Sequence, residues 1–327
     1  MLWLTSKPYI DTTESFTKDN STMKVLLATE KPFAAAAVQG IRKAVEEGGH
    51  TLAILEKYTD RAQLLDAVKD ADALIVRSDI VDAALMDAAP QLKIVVRAGA
   101  GYDNIDLKAA TAHNIVVENT PGQNSNAVAE LVFGLAVMAV RNMYAGTSGT
   151  ELKGKRLGIH AFGQVGRNVA RIAKGFGMEV SALDPYCPDK VIEEAGVRPV
   201  HSIEELYSDN DVVSLHIPAT DETRNSVNKH LIELMPKGGL LINTARREVI
   251  DEPSLAEALE QRPDIKYVAD IAPTNADELR QRFPGRVFFT PKKMGAQTAE
   301  ANINAGIAAA RQIVAFFADG TDRFRVN

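Results

Sequence analysis

The sequence predicts an α/β protein built from two doubly wound parallel-sheet domains, and three observations carry that prediction. The chain has 327 residues, which at roughly 100–200 residues per domain leaves room for two. From Met23 onward, strand-length runs rich in Val, Ile and Leu alternate with segments of helical period, the pattern of sheets buried on both faces. These runs fall into two successive series.

The first series is KVLLAT (24–29), TLAIL (51–55), ALIV (73–76), KIVVR (93–97) and NIVVE (114–118). The second is RLGIHAF (156–162), EVSALD (179–184), DVVSLHI (211–217), GLLINTA (239–245), KYVAD (266–270) and RVFFT (286–290). Between them, residues 125–143 read as a long helix that is apolar on most faces, so its expected partner is another subunit or the second domain. The helix candidate at 298–320 is expected to pack back on the first domain.

Composition narrows the function classes. Hydrophobic residues at 46% and charged ones at 24% are ordinary globular values and exclude wholesale disorder. A net charge of −6 argues against a chain that holds nucleic acid by charge. One cysteine, Cys187, excludes an intramolecular disulfide framework and a Cys-rich zinc site, and favours a reducing cytoplasm. No metal-ligand spacing and no membrane-spanning run is visible. Residues 1–22 lack the apolar stretch of a signal peptide and read as a disordered or non-native extension.

Residues 156–167, Arg-Leu-Gly-Ile-His-Ala-Phe-Gly-Gln-Val-Gly-Arg, run from a strand through Gly163 and Gly166 into a helical pattern. Backbone amides at such a helix start can hold a pyrophosphate. The dinucleotide fingerprint has a third glycine, whose place is taken here by Ala161. The next strand ends at Asp184, at the spacing where a carboxylate meets the adenosine ribose and repels a 2′-phosphate, which favours NAD over NADP. The plainer alternative is that Asp184 merely caps its strand.

With these motifs stand VRSDIVD (76–82), KIVVRAGAGYDNID (93–106), NTPGQNSNAVAEL (119–131), HIPATDETRN (216–225), INTARREVID (242–251) and PKKMGAQT (291–298). Their order and content resemble the D-isomer-specific 2-hydroxyacid dehydrogenases. The resemblance implies two Rossmann-like domains with an active-site cleft between them. Residues 23–121 with 299–327 would form the substrate-binding domain and 122–298 the NAD-binding domain, without a C-terminal regulatory domain. The long apolar helix around 125–143 predicts a homodimer. The implied reaction is hydride transfer between NAD and C2 of 3-phosphoglycerate, the first step of phosphorylated serine synthesis. Within the family the alternative is reduction of glyoxylate or hydroxypyruvate; outside enzymology it is a corepressor-like NAD-binding protein.

The same resemblance assigns residues. Arg246 matches the catalytic arginine, a fork suited to a carboxylate. Asp270 matches the aspartate that contacts the nicotinamide carboxamide. Gln164 and Val165 fall at the pyrophosphate, and His216, Ile217, Pro218, Thr244 and Ala245 near the cofactor's other edge. Arg77 and Arg97, with backbone amides of Ala98 and Gly99, are expected to hold the substrate anion, and Arg141 to join them.

One motif departs from the family. Its acid/base histidine in Pro-His-x-Gly is replaced by Pro291-Lys292-Lys293-Met294-Gly295, and its glutamate partner by Asn275. Counting from Gly295 puts Lys293 in the histidine's place; counting from Pro291 puts Lys292 there. A lysine starts at a pKa of about 10.4, and a neighbouring carboxylate would raise it further. An amide at 275 with Arg246 nearby therefore suits a lysine acid/base, with Lys293 the first choice.

Overall fold

The structure, a computed structural model, describes residues 21–327, so the extension expected at 1–22 lies, save its last two residues, outside the described part. Two compact units emerge, one of residues up to Asn119 with Gly306–Asn327, the other Thr120–Ala305.

The first unit carries β1 (Lys24–Thr29), β2 (Thr51–Glu56), β3 (Ala73–Val76), β4 (Ile94–Arg97) and β5 (Val116–Asn119). All are parallel, in the order β2-β1-β3-β4-β5. The strand order reverses between β1 and β3, and such a switch point opens a crevice beyond the carboxyl ends of the strands. Asp60, Asp82 and Asp106 each accept a hydrogen bond from a first-turn amide and so start three short helices. Helix Ala35–Glu47 packs through its glycines: a Cβ on Gly40 would lie 2.5 Å from Ile307, and one just past the helix on Gly48 2.6 Å from Val314. The edge of β5 is covered by the last residues of the chain, where Val326 donates to Val117 O and Asn327 accepts from Val117 N.

The second unit carries β6 (Arg156–His160), β7 (Glu179–Leu183), β8 (Arg198–Pro199), β9 (Val212–Leu215), β10 (Leu240–Asn243), β11 (Lys266–Ala269) and β12 (Val287–Phe289). They form one parallel sheet, β12-β11-β10-β9-β6-β7-β8, which reverses between β6 and β9. The sequence reading lacks β8, a two-residue edge strand containing a proline. Alternation sorts the side chains onto two cores. Leu241, Tyr267 and Ala269 pack with Leu255 and Leu259 on one face. On the other, Leu240, Ile242 and Val268 meet Val132, Leu135, Ala136 and Ala139 of helix Ser125–Val140.

That helix thus spends its apolar surface largely on its own sheet, with eight residues buried. It stops in a left-handed turn, Asn142, Met143 and Tyr144, at φ of 52°, 54° and 59°. Lys266 Nζ closes the helix end by donating to Ala139 O and Asn142 Oδ1, each at 2.7 Å. Among the described residues no helix is long and apolar enough to cross a membrane, and no cluster of three metal-ligating side chains occurs.

Candidate active site

The glycine loop leaves β6 at its carboxyl end, beside the switch point. Ala161, in the place of the first fingerprint glycine, takes φ +81°, a conformation normally left to glycine. Gly163 is the N-cap of helix Gln164–Gly175 and provides no side-chain cap. A Cβ on it would meet nothing within 4 Å, so the first-turn amides are open to an anion. Gly166 is required for packing, because a Cβ there would collide with the Ala161 carbonyl oxygen. Asp184 is drawn onto the loop: Oδ2 accepts from Phe162 N at 2.8 Å and Oδ1 from Tyr186 N at 2.9 Å. Each oxygen keeps a second lone-pair direction for a ribose hydroxyl.

Two imidazoles stand on neighbouring strands. His216, just past β9, donates its backbone N–H to His160 O at the end of β6. Burial pushes the His160 imidazole down to about 4, against the pull of Asp184. His216 is pushed down to about 3, by burial first and then by His160. His160 Nδ1 is buried without a partner, its ring edge-on to Tyr207, while His216 Nε2 meets Ser214 Oγ at 3.0 Å.

The turn after β10 is built by Asn243, fully buried. Its Oδ1 accepts from Ala245 N and its Nδ2 donates to Arg246 O, both at 2.9 Å. Arg246 thereby projects as an exposed side chain; among the described residues it forms no ion pair, and its Nη1 donates to Ala245 O at 3.1 Å. Lys293 Nζ donates to that same oxygen at 3.3 Å. Of the two lysines left open by counting, Lys293 is therefore the one brought to Arg246. Lys292 is exposed and makes no hydrogen bond among the described residues.

Asp270, ending the run of β11, is 1% exposed. Its Oδ1 accepts from Thr290 Oγ1 at 3.1 Å and from Met294 N at 2.7 Å, and its Oδ2 from Gly295 N at 2.7 Å. Asn275 Oδ1 is buried without a partner. The carboxylate of Glu252 goes to the preceding residue, accepting from Thr274 N at 3.1 and 3.0 Å and from its hydroxyl.

In the first unit, Arg77 follows β3 and lies over the Phe33 ring, Cζ at 5.0 Å from its centre. Burial lowers its pKa, with Asp79 opposing. Arg97 Nε donates to Arg77 O at 2.9 Å, and Gly99, at φ +149°, leaves the room that the Arg97 guanidinium fills. The amides of Ala98 and Gly99, expected to face substrate, are engaged: they donate to Val76 O and Arg97 O, each at 2.8 Å. Arg141 is exposed past the end of its helix in the second unit.

Sequence reasoning passed over Asn243, Thr290 and Asp79. Asp79, 4% exposed, accepts from Glu30 N, Tyr58 Oη and Arg77 N and so sets the turn that carries Arg77. Polar residues closing all-apolar strands, as in GLLIN and RVFFT, were the available signal for the other two.

A dinucleotide fits these residues. The helix start at Gly163 is uncapped and open, Asp184 stands at the end of β7, and Thr244 Oγ1, past β10, is buried without a partner.

Comparison with known proteins agrees. Residues 134–291 match the NAD binding domain of the D-isomer specific 2-hydroxyacid dehydrogenases. The D-3-phosphoglycerate dehydrogenase of Methanocaldococcus jannaschii is 39% identical over 270 residues, 77% of this chain and 51% of that protein. The chain thus spans about half the length of that relative. The hydroxypyruvate reductase of Thermotoga maritima is 34% identical over 280 residues, 80% of this chain and 90% of that protein. Among solved structures, the NAD+-bound 3-phosphoglycerate dehydrogenase of Entamoeba histolytica superposes with a TM-score of 0.81 at 46% identity, over 94% of this chain and 99% of that one. The chain belongs to the D-isomer specific 2-hydroxyacid dehydrogenase family, with NAD as its cofactor.

Proposed function

We propose that the protein oxidises 3-phosphoglycerate to 3-phosphohydroxypyruvate, the first step of phosphorylated serine synthesis, with Lys293 in the place of the family's histidine. The observation that carries this reading is the Ala245 carbonyl oxygen, on which Lys293 Nζ and Arg246 Nη1 converge. It sets an amine beside a guanidinium, a proton acceptor beside a carboxylate clamp.

NAD, when bound, supplies the acceptor for the C2 hydride. Gly163, Gln164, Val165 and Gly166 would hold its pyrophosphate, Asp184 its adenosine ribose, and Thr244, Ala245, Asp270 and the His216–Pro218 segment its nicotinamide half. Arg246 pairs with the substrate carboxylate and polarises the C2 oxygen. Lys293, in its neutral form, takes the C2 hydroxyl proton as the carbonyl forms, and returns it in the reverse reaction. Arg77 and Arg97 hold the substrate's anionic groups, with Arg141 a further cation for them. The lone cysteine supports a cytoplasmic setting, and the half-buried Leu131, Val137, Met138 and Val140 on helix Ser125–Val140 support a homodimer.

Reduction of hydroxypyruvate is the second reading, favoured by the Thermotoga maritima relative. Absorbance at the NADH band decides. Oxidation of 3-phosphoglycerate with NAD should far exceed oxidation of D-glycerate, and the opposite ranking would establish the second reading. Turnover with neither, nor with glyoxylate and NADH, would leave a cofactor-binding protein without this chemistry.

A further inference from the structure

A buried carboxylate needs donors to offset its desolvation. Asp270 finds all of its three in one stretch of chain, Thr290 to Gly295. Two are backbone amides, which hold the path of the chain rather than a rotamer. The approach is close enough to require glycine: a Cβ on Gly295 would lie 2.8 Å from Asp270 Oδ2 and 3.2 Å from Val128 Cγ2. Lys293 directly precedes these two amides, and its Nζ reaches Ala245 O, beyond the neighbouring strand β10. The end of β11 thus clamps the segment after β12 whose lysine reaches across to β10.

We infer that Asp270 is a positioning residue for Lys293, acting through the Met294 and Gly295 amides. The inference rests on the reading of Lys293 as acid/base. It coexists with a contact to the cofactor, because a carboxylate has about four lone-pair sites and three are taken.

Asp270→Asn tests it, since the amide keeps the shape but sets an NH2 group against one of the backbone N–H donors. Three quantities are measured on the whole chain: hydrogen exchange at Met294 and Gly295, NADH affinity by fluorescence, and kcat with 3-phosphoglycerate at saturating NAD. We expect exchange at the two amides to quicken at least tenfold and kcat to fall at least tenfold. The acid limb of the pH–rate profile, where Lys293 becomes protonated and can no longer accept the proton, should move. Because kcat is read at saturating NAD, these changes stand apart from any change in NADH affinity. Retained protection of the two amides overturns the inference. So does a tenfold loss of NADH affinity with kcat unchanged. Thr290→Val, which removes one donor and leaves the carboxylate, should reproduce the changes in exchange and kcat in weaker form, and covers the case in which Asp270→Asn does not fold. A wild-type protein inactive on 2-hydroxyacids would sink the proposed function, while the exchange measurement would still decide whether Asp270 holds the loop.

Discussion

Lys293 and Arg246 meet at one atom: the carbonyl oxygen of Ala245 accepts from Nζ at 3.3 Å and from Nη1 at 3.1 Å. An amine and a guanidinium are thus held on one backbone acceptor. Lys293→Ala should lower kcat by about 10²–10⁴, the usual worth of a positioned acid/base. Lys292→Ala should stay within about threefold. Steady-state rates of NAD reduction check both; equal losses would remove the distinction between the two lysines.

Arg246→Lys keeps the charge and discards the fork. Losing a charge-assisted hydrogen bond worth about 1.5–3 kcal/mol should cost roughly 10- to 100-fold in kcat/KM for 3-phosphoglycerate. NADH affinity, measured by fluorescence, should be unaffected. A drop in NADH binding of the same size would reassign the residue to the cofactor.

Ala161 holds φ +81° in the glycine loop. A left-handed residue with a Cβ costs about 1–2 kcal/mol, partly offset by the greater freedom of glycine when unfolded. Ala161→Gly should therefore raise stability by about 0.5–1 kcal/mol, read as a Tm increase of a few degrees. An unchanged or lowered Tm would show that the loop carries no such strain.

The strands were legible because continuous Val/Ile/Leu runs of about four to six residues between helical segments have few uses other than a buried strand. β8 was not, since Arg198–Pro199 is two residues long and has no pattern. The turn at Asn142–Tyr144 contains no glycine, so nothing in its composition announces positive φ. Ala98 and Gly99 looked like free amides because their acceptors, Val76 O and Arg97 O, are fixed by the strand pairing and the local turn. Lys292 and Lys293 were indistinguishable by counting, because only the path of the loop around Asp270 decides which ammonium reaches Ala245. The full burial of Asn243 is likewise a property of the packed sheet.

Acid should unfold the second unit early, on account of His160 and His216. Both have folded pKa values below the ordinary 6.5, near 4 and 3, so the unfolded chain binds more protons between those limits. Their contribution is complete above about pH 6.5 and is lost as pH falls toward 4 and 3, on the order of 3 kcal/mol for His160 alone. Denaturant midpoints from pH 7.5 to 4.5 should show this decline, and His160→Leu should flatten it. An equal slope in the variant would place the acid sensitivity elsewhere.

Asn243 gives the site a polarity. One end of its amide accepts a hydrogen bond from the chain at Ala245 and the other donates one to the chain at Arg246. Rotating the amide by half a turn would face donor with donor and acceptor with acceptor, so the group acts as a key with one orientation. Aspartate has nearly the same outline and can only accept. The peptide whose oxygen Lys293 and Arg246 share is therefore flanked by one neutral amide that holds Ala245 N on one side and Arg246 O on the other. A charged isostere at 243 would release the Arg246 end of the turn.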